Sequence, residues 1–102
     1  MNKEQTIEFT KRLFTELWQG QPDLNKVDEF YHQDVTGYFG DQLITIEDIK
    51  NRVIFCNKYF NTINSKIFDI LVEENRVAVR LEQTVNYKDS NKSETQRLLV
   101  IN

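Results

Sequence analysis

Proton transfer near neutral pH would depend on His32, because the chain contains a single histidine and imidazole ordinarily titrates close to pH 7. Asp34 and Asp41 follow it closely, and a histidine beside a pocket carboxylate can act as a general acid or base. Structural roles are the preferred interpretation of two of these residues: His32 at a helix C-terminus and Asp34 as a turn cap. His32, Asp34 and Asp41 are the catalytic candidates.

Aromatic and amide side chains supply the candidates for ligand binding. Trp18, Tyr38 and Tyr59 combine a flat apolar surface with a polar tip, which suits a small-molecule pocket as well as ordinary core packing. Gln83 interrupts the apolar side of a predicted strand. Because a buried amide needs partners, we expect Gln83 either to contact a ligand or to bond to nearby backbone.

Several kinds of site have no support in the sequence. The only cysteine, Cys56, cannot form an internal disulfide or a zinc or iron–sulfur centre. Its position on the apolar side of a predicted helix fits a small core residue. The sequence has no glycine-rich phosphate loop, no metal-ligand spacing and no nucleophile elbow. We therefore expect neither a metal nor another cofactor.

Charge and hydropathy narrow the range of partners. The net charge is −3 and no basic run exists, which disfavours nucleic-acid binding. No apolar run approaches the length that spans a membrane, so we expect no membrane partner. The polar N-terminus carries no apolar signal segment, and this predicts a cytoplasmic protein.

The elements that must position these residues form one α+β domain over residues 1–102. Apolar spacing predicts a helix over 3–19 ended by Gly20, a short helix that begins near Pro22, and a third helix over 46–60. A small strand over 36–39 and an extended piece at 43–44 come between them. Period-two alternation predicts long strands over 66–73, 76–88 and 93–101, with a turn at Glu74-Asn75. We expect the helices to pack on one face of a curved antiparallel sheet, with a bend or bulge in the second long strand.

The two faces of the long strands differ in composition. The continuous apolar set is predicted to lie under the helices: Val77, Val79, Leu81, Gln83, Val85 and Tyr87, joined by Phe68, Ile70, Val72, Leu98 and Val100. The other face mixes large aliphatics with opposite charges, which favours a twofold homodimer over a solvated face with scattered apolar residues. The residues expected at that interface are Ile67, Leu71, Arg80, Glu82, Arg97 and Leu99. A bulge between Arg80 and Gln83 would reverse the assignment.

Residues 14–24, Phe-Thr-Glu-Leu-Trp-Gln-Gly-Gln-Pro-Asp-Leu, and residues 27–35, Val-Asp-Glu-Phe-Tyr-His-Gln-Asp-Val, resemble the opening of the nuclear-transport-factor-2-like (NTF2-like) superfamily. The SnoaL-like polyketide cyclase branch is the most similar, and the order of elements agrees over almost the whole chain. The resemblance implies a cone-shaped, cystatin-like roll with a pocket between the helices and the bent sheet. It also implies dimerisation through the outer sheet face.

The sequence departs from this family in two ways. Family members usually have one more long strand, so the chain is either naturally short or a fragment, and the resulting free edge would need a cover or a partner. One enzymatic branch carries a catalytic carboxylate on the small strand, whereas this strand reads Thr36-Gly37-Tyr38-Phe39 and the next acid is Asp41. That base cannot be transferred to this chain.

Three functional hypotheses follow from the residues and the resemblance. The preferred one is a SnoaL-like domain that binds a small apolar or cyclic molecule in a mainly apolar pocket. The second is an isomerase, cyclase or dehydratase in which His32 works with Asp34 or Asp41. The third is a homodimeric interaction module whose sheet face is the functional surface.

Overall fold

Three α-helices, with a π-helical turn and a 3₁₀ turn beside them, make up the helical part of the described chain. The computed structural model describes residues 2–74 and 76–101. Helix α1, Lys3–Arg12, begins where the Asn2 side chain accepts the N–H of Gln5 at 2.8 Å, and it continues into a π-helical turn, Leu13–Leu17. A 3₁₀ turn, Leu24–Lys26, leads into helix α2, Val27–Phe30. Helix α3 spans Ile46–Tyr59. The three predicted helices are confirmed.

Five antiparallel strands form the sheet of the described chain: β1 Thr36–Phe39, β2 Gln42–Thr45, β3 Phe60–Glu73, β4 Arg76–Tyr87 and β5 Ser93–Ile101. Their order is β2-β1-β5-β4-β3, so the α+β class predicted from the sequence is confirmed. Asn75 of the predicted Glu74-Asn75 turn lies outside the described residues. In the described part of the chain, no helix is both long and apolar enough to cross a membrane.

Strand β3 begins at Phe60, six residues before the predicted start at Lys66, because helix α3 passes directly into it. Its first half is held by Gly20, whose N–H donates to the Ile63 carbonyl at 2.7 Å while the Ile63 N–H donates to the Gly20 carbonyl at 2.8 Å. Gly20 has a φ of +70°, which glycine adopts without steric cost. The first helical segment ends at Leu17 with Trp18 as its C-cap residue, so Gly20, which was predicted to end it, instead pairs with the sheet.

Strand β5 has a second neighbour only near its C-terminal end. Within the described residues its register with β1 comprises Tyr38 opposite Ile101 and Phe39 opposite Val100, and the Gly40 N–H donates to the Leu99 carbonyl at 2.9 Å. The earlier part of β5 pairs with β4 alone. The β1–β2 hairpin thus covers part of the sheet edge and leaves the remainder of β5 open.

The inner face of β4 lies under the helices as predicted. Val79 and Leu81 are fully buried, Gln83 and Val85 are buried beside them, and Arg80 is exposed. The strands and helices together form one core, and its most deeply buried side chains are Leu17, Val27, Val53, Cys56, Ile63, Val79 and Leu81. Cys56 is a core residue, as its position in the helical pattern indicated.

The predicted faces of Ile67 and Phe68 are wrong, because a bulge lies in β3 and not in β4. The register shifts between Ile67 and Asp69, so that Ile67 lies opposite the inward Leu81 and Asp69 lies opposite the outward Arg80. Ile67 accordingly packs against the core, and Phe68 is 38% exposed beside Arg80. An extra residue in one strand shifts the period-two alternation by one position. Ile67 therefore does not belong to the outer face.

Candidate functional site

A cavity of about 380 Å³ lies between the helices and the inner face of the sheet. Its walls are mostly aromatic and aliphatic, and they come from segments far apart in the sequence: Phe14, Trp18, Tyr31, Phe39, Ile44, Ile49, Phe55 and Val100. The polar groups at the cavity belong to Gln42, Asp48, Asn51, Arg52 and Gln83. An apolar concavity with a few polar groups is the usual form of a small-molecule site.

Two local features of the backbone position the walls. The π-helical turn buries Leu13, Phe14 and Leu17 together, and Trp18 follows immediately and is also buried. Such turns occur frequently at functional sites. On the other side, the pairing of Phe39 with Val100 puts both residues on the inner face of the sheet, where they line the cavity.

Trp18 and Tyr31 form a hydrogen-bonded pair at the cavity. The Trp18 Nε1–H donates to the Tyr31 hydroxyl oxygen at 3.2 Å. Burial raises the pKa of Tyr31 to about 12, since the charged phenolate is disfavoured away from water. The hydroxyl therefore stays protonated at neutral pH. Its own hydrogen has no acceptor among the side-chain hydrogen bonds of the described residues and is available to a ligand.

Gln83 satisfies one end of its amide within the protein. Its Nε2 donates to the Ser65 hydroxyl at 3.1 Å, and that hydroxyl donates to the Trp18 carbonyl at 2.6 Å. The hydrogen-bond partner of the Gln83 amide nitrogen is thus a side chain. The expected alternatives were a ligand and nearby backbone. The Oε1 atom of Gln83 accepts no hydrogen bond from a described residue, which leaves an acceptor at the cavity.

Arg52 lies where the cavity meets a second one of about 310 Å³. Arg52, Phe55 and Gln83 line both cavities. Tyr87 also lines the second cavity, and its hydroxyl donates to the Glu94 carboxylate. This hydrogen bond, together with desolvation and the nearby negative charge, raises the pKa of Tyr87. The second cavity is therefore more polar than the first.

The structure separates the predicted ligand-binding residues. Trp18 and Gln83 line the main cavity, whereas Tyr59 lines the second and is 43% exposed. Tyr38 lies on the outer face of the sheet, because its neighbour Phe39 is the inward residue of β1. The four residues of this short strand fit either phase, so their types alone do not distinguish Tyr38 from Phe39.

The three catalytic candidates do not meet at a cavity. His32, Asp34 and Asp41 are all exposed, and none of them lines either cavity. The His32 carbonyl accepts the Val35 N–H at 3.1 Å in a backbone turn. Among the described residues, the Asp34 side chain forms no hydrogen bond, so the proposed capping role has no bond to support it.

Sequence reasoning missed Arg52, Tyr31 and Phe39 as cavity residues. Arg52 follows Ile49 by three residues and precedes Cys56 by four, which puts it beside the buried stripe of helix α3. Tyr31 follows Phe30 directly at the end of the short helix, and nothing in this local pattern distinguishes a cavity residue from a packing residue. The spacing of Arg52 was the available signal, but a charged residue at such a position usually extends into solvent.

The cavity offers apolar contact and hydrogen bonding through Tyr31, Gln83 and Arg52. Among residues 2–74 and 76–101, no group of three or more histidine, cysteine or carboxylate side chains is arranged to hold a metal ion. Comparisons of the chain with family models, curated proteins and solved structures found no match.

Proposed function

We propose that this protein is a small-molecule-binding domain of the NTF2-like, SnoaL-like type, with its ligand in the main cavity. The observation that carries this proposal is the cavity of about 380 Å³, which combines apolar walls with polar groups. This volume falls in the range of about 300–1,000 Å³ that is typical of ligand sites. The Tyr31 hydroxyl and the Gln83 carbonyl oxygen both have hydrogen-bonding capacity that the described residues leave unused.

The order of elements supports the family assignment. Helices α1 to α3 and the β1–β2 hairpin come before three long antiparallel strands. The cavity lies between the helical layer and the sheet, where the resemblance implies a pocket.

Binding accounts for the cavity better than catalysis does. The catalytic candidates His32, Asp34 and Asp41 are exposed and lie outside both cavities. The carboxylate that lines the main cavity belongs to Asp48, and it accepts hydrogen bonds from the Thr45 N–H at 2.8 Å and hydroxyl at 3.1 Å. A carboxylate engaged in a helix cap is poorly placed to accept a substrate proton.

Two substitutions on neighbouring residues of β2 test the proposal. Ile44 lines the cavity, while Leu43 belongs to the opposite face of the same strand. A fragment library screened by protein-observed NMR should give bound fragments whose shift changes cluster around Trp18, Gln83 and Ile44. Ile44→Trp fills the cavity and should abolish these shifts, whereas Leu43→Trp should retain them. The proposal would be contradicted if the wild type shows no such shift changes, or if the changes persist in Ile44→Trp.

A specific observation also favours the homodimer as a second candidate function. One register row on the outer face carries an apolar residue on each of the five strands: Leu43, Tyr38, Ile101, Ala78 and Leu71. Leu71 is 69% exposed and Leu43 is 55% exposed. A continuous apolar row of this kind is typical of an interaction surface, and a twofold axis would bury it against its own copy.

Charged residues lie next to this row on β3 and β4. Arg80 Nε contacts the Asp69 carboxylate at 2.9 Å, and Arg97 Nε lies 3.6 Å from the Glu82 carboxylate. Exposed pairs of this kind contribute little to folding. Beside an apolar row they can instead determine the register of an interface. The proposed dimer interface therefore contains the row together with Arg80, Glu82, Arg97 and Leu99.

A further inference from the structure

The Arg52 guanidinium lies among aromatic rings at the junction of the two cavities. Its central carbon is 5.5 Å from the Phe55 ring centroid and 6.0 Å from the Phe39 ring centroid. The residue is half-buried, so the rings remove part of its hydration and limit its rotamers. Cation–π contact of this type holds the charge in place but satisfies none of its N–H donors.

The nearby carboxylates are bonded to other groups. Asp48 lies one helical turn before Arg52, and its carboxylate accepts hydrogen bonds from Thr45. Glu94, which lines the second cavity with Arg52, accepts the Tyr87 hydroxyl. Among the described residues, Arg52 takes part in no ion pair within 4.0 Å and in no side-chain hydrogen bond. A guanidinium has five N–H donors, and here they remain available to a ligand.

We infer that Arg52 binds the carboxylate of the cavity's ligand, which is a small aromatic or cyclic monocarboxylic acid. This inference rests on the proposed function of the cavity. The planar guanidinium matches a carboxylate with two parallel hydrogen bonds. A phosphate dianion fits less well, because among the described residues Arg52 is the only lysine or arginine that lines the main cavity and the Asp48 carboxylate also lines it.

The remaining walls suit the uncharged part of such a ligand. Phe14, Trp18 and Val100 present apolar surface to a ring. The Gln83 oxygen can accept a hydrogen bond from a ligand hydroxyl or amine, and Tyr31 can donate one. A ligand with one carboxylate at Arg52 and a ring inside the main cavity would therefore engage the polar groups without leaving a charge among the apolar walls.

A matched pair of probes separates the effect of the ligand's negative charge from the effect of its ring. 2-Naphthoate and its uncharged amide, 2-naphthamide, share a ring system, and the acid is ionised at neutral pH because a carboxyl group has a pKa of about 4. Dissociation constants should be measured by NMR titration for the wild type, Arg52→Gln, Arg52→Lys and the control Arg76→Gln. Arg76 is exposed on β4 and lines neither cavity, so the control makes the same charge change elsewhere.

We expect the wild type to bind 2-naphthoate more tightly than 2-naphthamide. Arg52→Gln should weaken 2-naphthoate binding about tenfold or more, as expected for the loss of a charge-assisted hydrogen bond, and should leave 2-naphthamide binding unchanged. Arg52→Lys should be intermediate, and Arg76→Gln should match the wild type. If Arg52→Gln weakens the binding of both probes equally, Arg52 has a packing role and the inference is overturned.

The two proposals fail in different ways. If both probes bind equally well to the wild type and Arg52→Gln, the cavity binds small molecules but Arg52 does not recognise an anion. If neither probe shifts the cavity resonances of the wild type and the fragment library gives no bound fragment there, the proposed function and this inference fail together.

Discussion

At the scale of single residues, a chain of hydrogen bonds links the walls of the main cavity. Gln83 donates to Ser65, Ser65 donates to the Trp18 carbonyl, and the Trp18 indole donates to Tyr31. These bonds join β4, β3, the segment after α1 and the segment after α2. Because buried polar groups are costly when they lose a partner, the network holds the side chains at the cavity in one arrangement.

Tyr31 makes this network sensitive to high pH. The usual pKa of tyrosine is near 10, and burial raises that of Tyr31 to about 12 in the folded chain. The folded state therefore holds the proton more tightly, so this contribution to stability is complete below pH 10 and is lost as the pH rises toward 12. Its upper bound is roughly 2.7 kcal/mol, since one pKa unit corresponds to about 1.36 kcal/mol.

Tyr31→Phe should remove that part of the pH dependence. Urea unfolding should show that the free energy of unfolding falls less steeply between pH 10 and 12 in the variant than in the wild type. At neutral pH the variant should be less stable by about 1–3 kcal/mol, because the Trp18 N–H loses its acceptor. Parallel pH profiles of the two proteins would contradict burial as the origin of the raised pKa.

Residue types alone identified part of the cavity. Trp18 was selected because its indole combines a flat apolar surface with a polar tip, and Gln83 because it interrupts an apolar strand face. Tyr38 was misplaced because the four residues of β1 fit either phase, and the face is determined by the pairing of Phe39 with Val100. That pairing joins residues about sixty positions apart, and no local pattern contains it.

At the scale of elements, the start of helix α3 is set by a local signal that the sequence shows. Thr45 and Asp48 have the spacing of a capping box, and the Asp48 carboxylate accepts the Thr45 N–H and hydroxyl. The cap fixes the first turn of the helix that carries Ile49 and Arg52 to the cavity. Its geometry is local, because it depends only on residues 45–48.

Asp48→Ala should lower the free energy of unfolding by about 1 kcal/mol, the usual effect of losing an N-terminal cap. Glu47→Ala is the matched control, because it removes a negative charge from the same first turn without removing a bond to Thr45. Both variants lose a charge that interacts with the helix dipole, so the difference between their free energies of unfolding in urea measures the contribution of the capping hydrogen bonds. Equal losses would show that charge alone stabilises this end of the helix.

Strand β3 shows where local patterns fail. Residues 61–65, Asn-Thr-Ile-Asn-Ser, resemble a loop in composition, yet they form a strand because Gly20 and β4 both pair with it. The bulge at Phe68 reverses the alternation halfway along. The strand follows the period-two rule over 62–67 and again over 69–73, but the position of the extra residue between these stretches depends on how β3 matches β4. The face of Phe68 is therefore a tertiary property.

At the scale of the whole molecule, the outer face acquires a surface that no single segment contains. Each strand contributes one residue to the apolar row of Leu43, Tyr38, Ile101, Ala78 and Leu71. Leu71 was expected at the interface from the pattern of its strand, whereas Leu43 and Tyr38 join the row only through the β1–β5 pairing. The fold thus extends the predicted interface across all five strands.

A charge placed in this row tests whether it is a dimer interface. We expect the wild type to sediment at twice the 12.2 kDa chain mass, and Leu71→Glu to sediment as a monomer, because a buried unpaired carboxylate facing its own copy is strongly unfavourable. Ile54→Glu is the control, since Ile54 is a 51% exposed residue of helix α3 and lies off the sheet face. A monomeric wild type at high concentration, or a dimeric Leu71→Glu, would contradict the row as the interface. Retention of ligand binding by the monomeric variant would further show that the cavity on the opposite face functions without the partner.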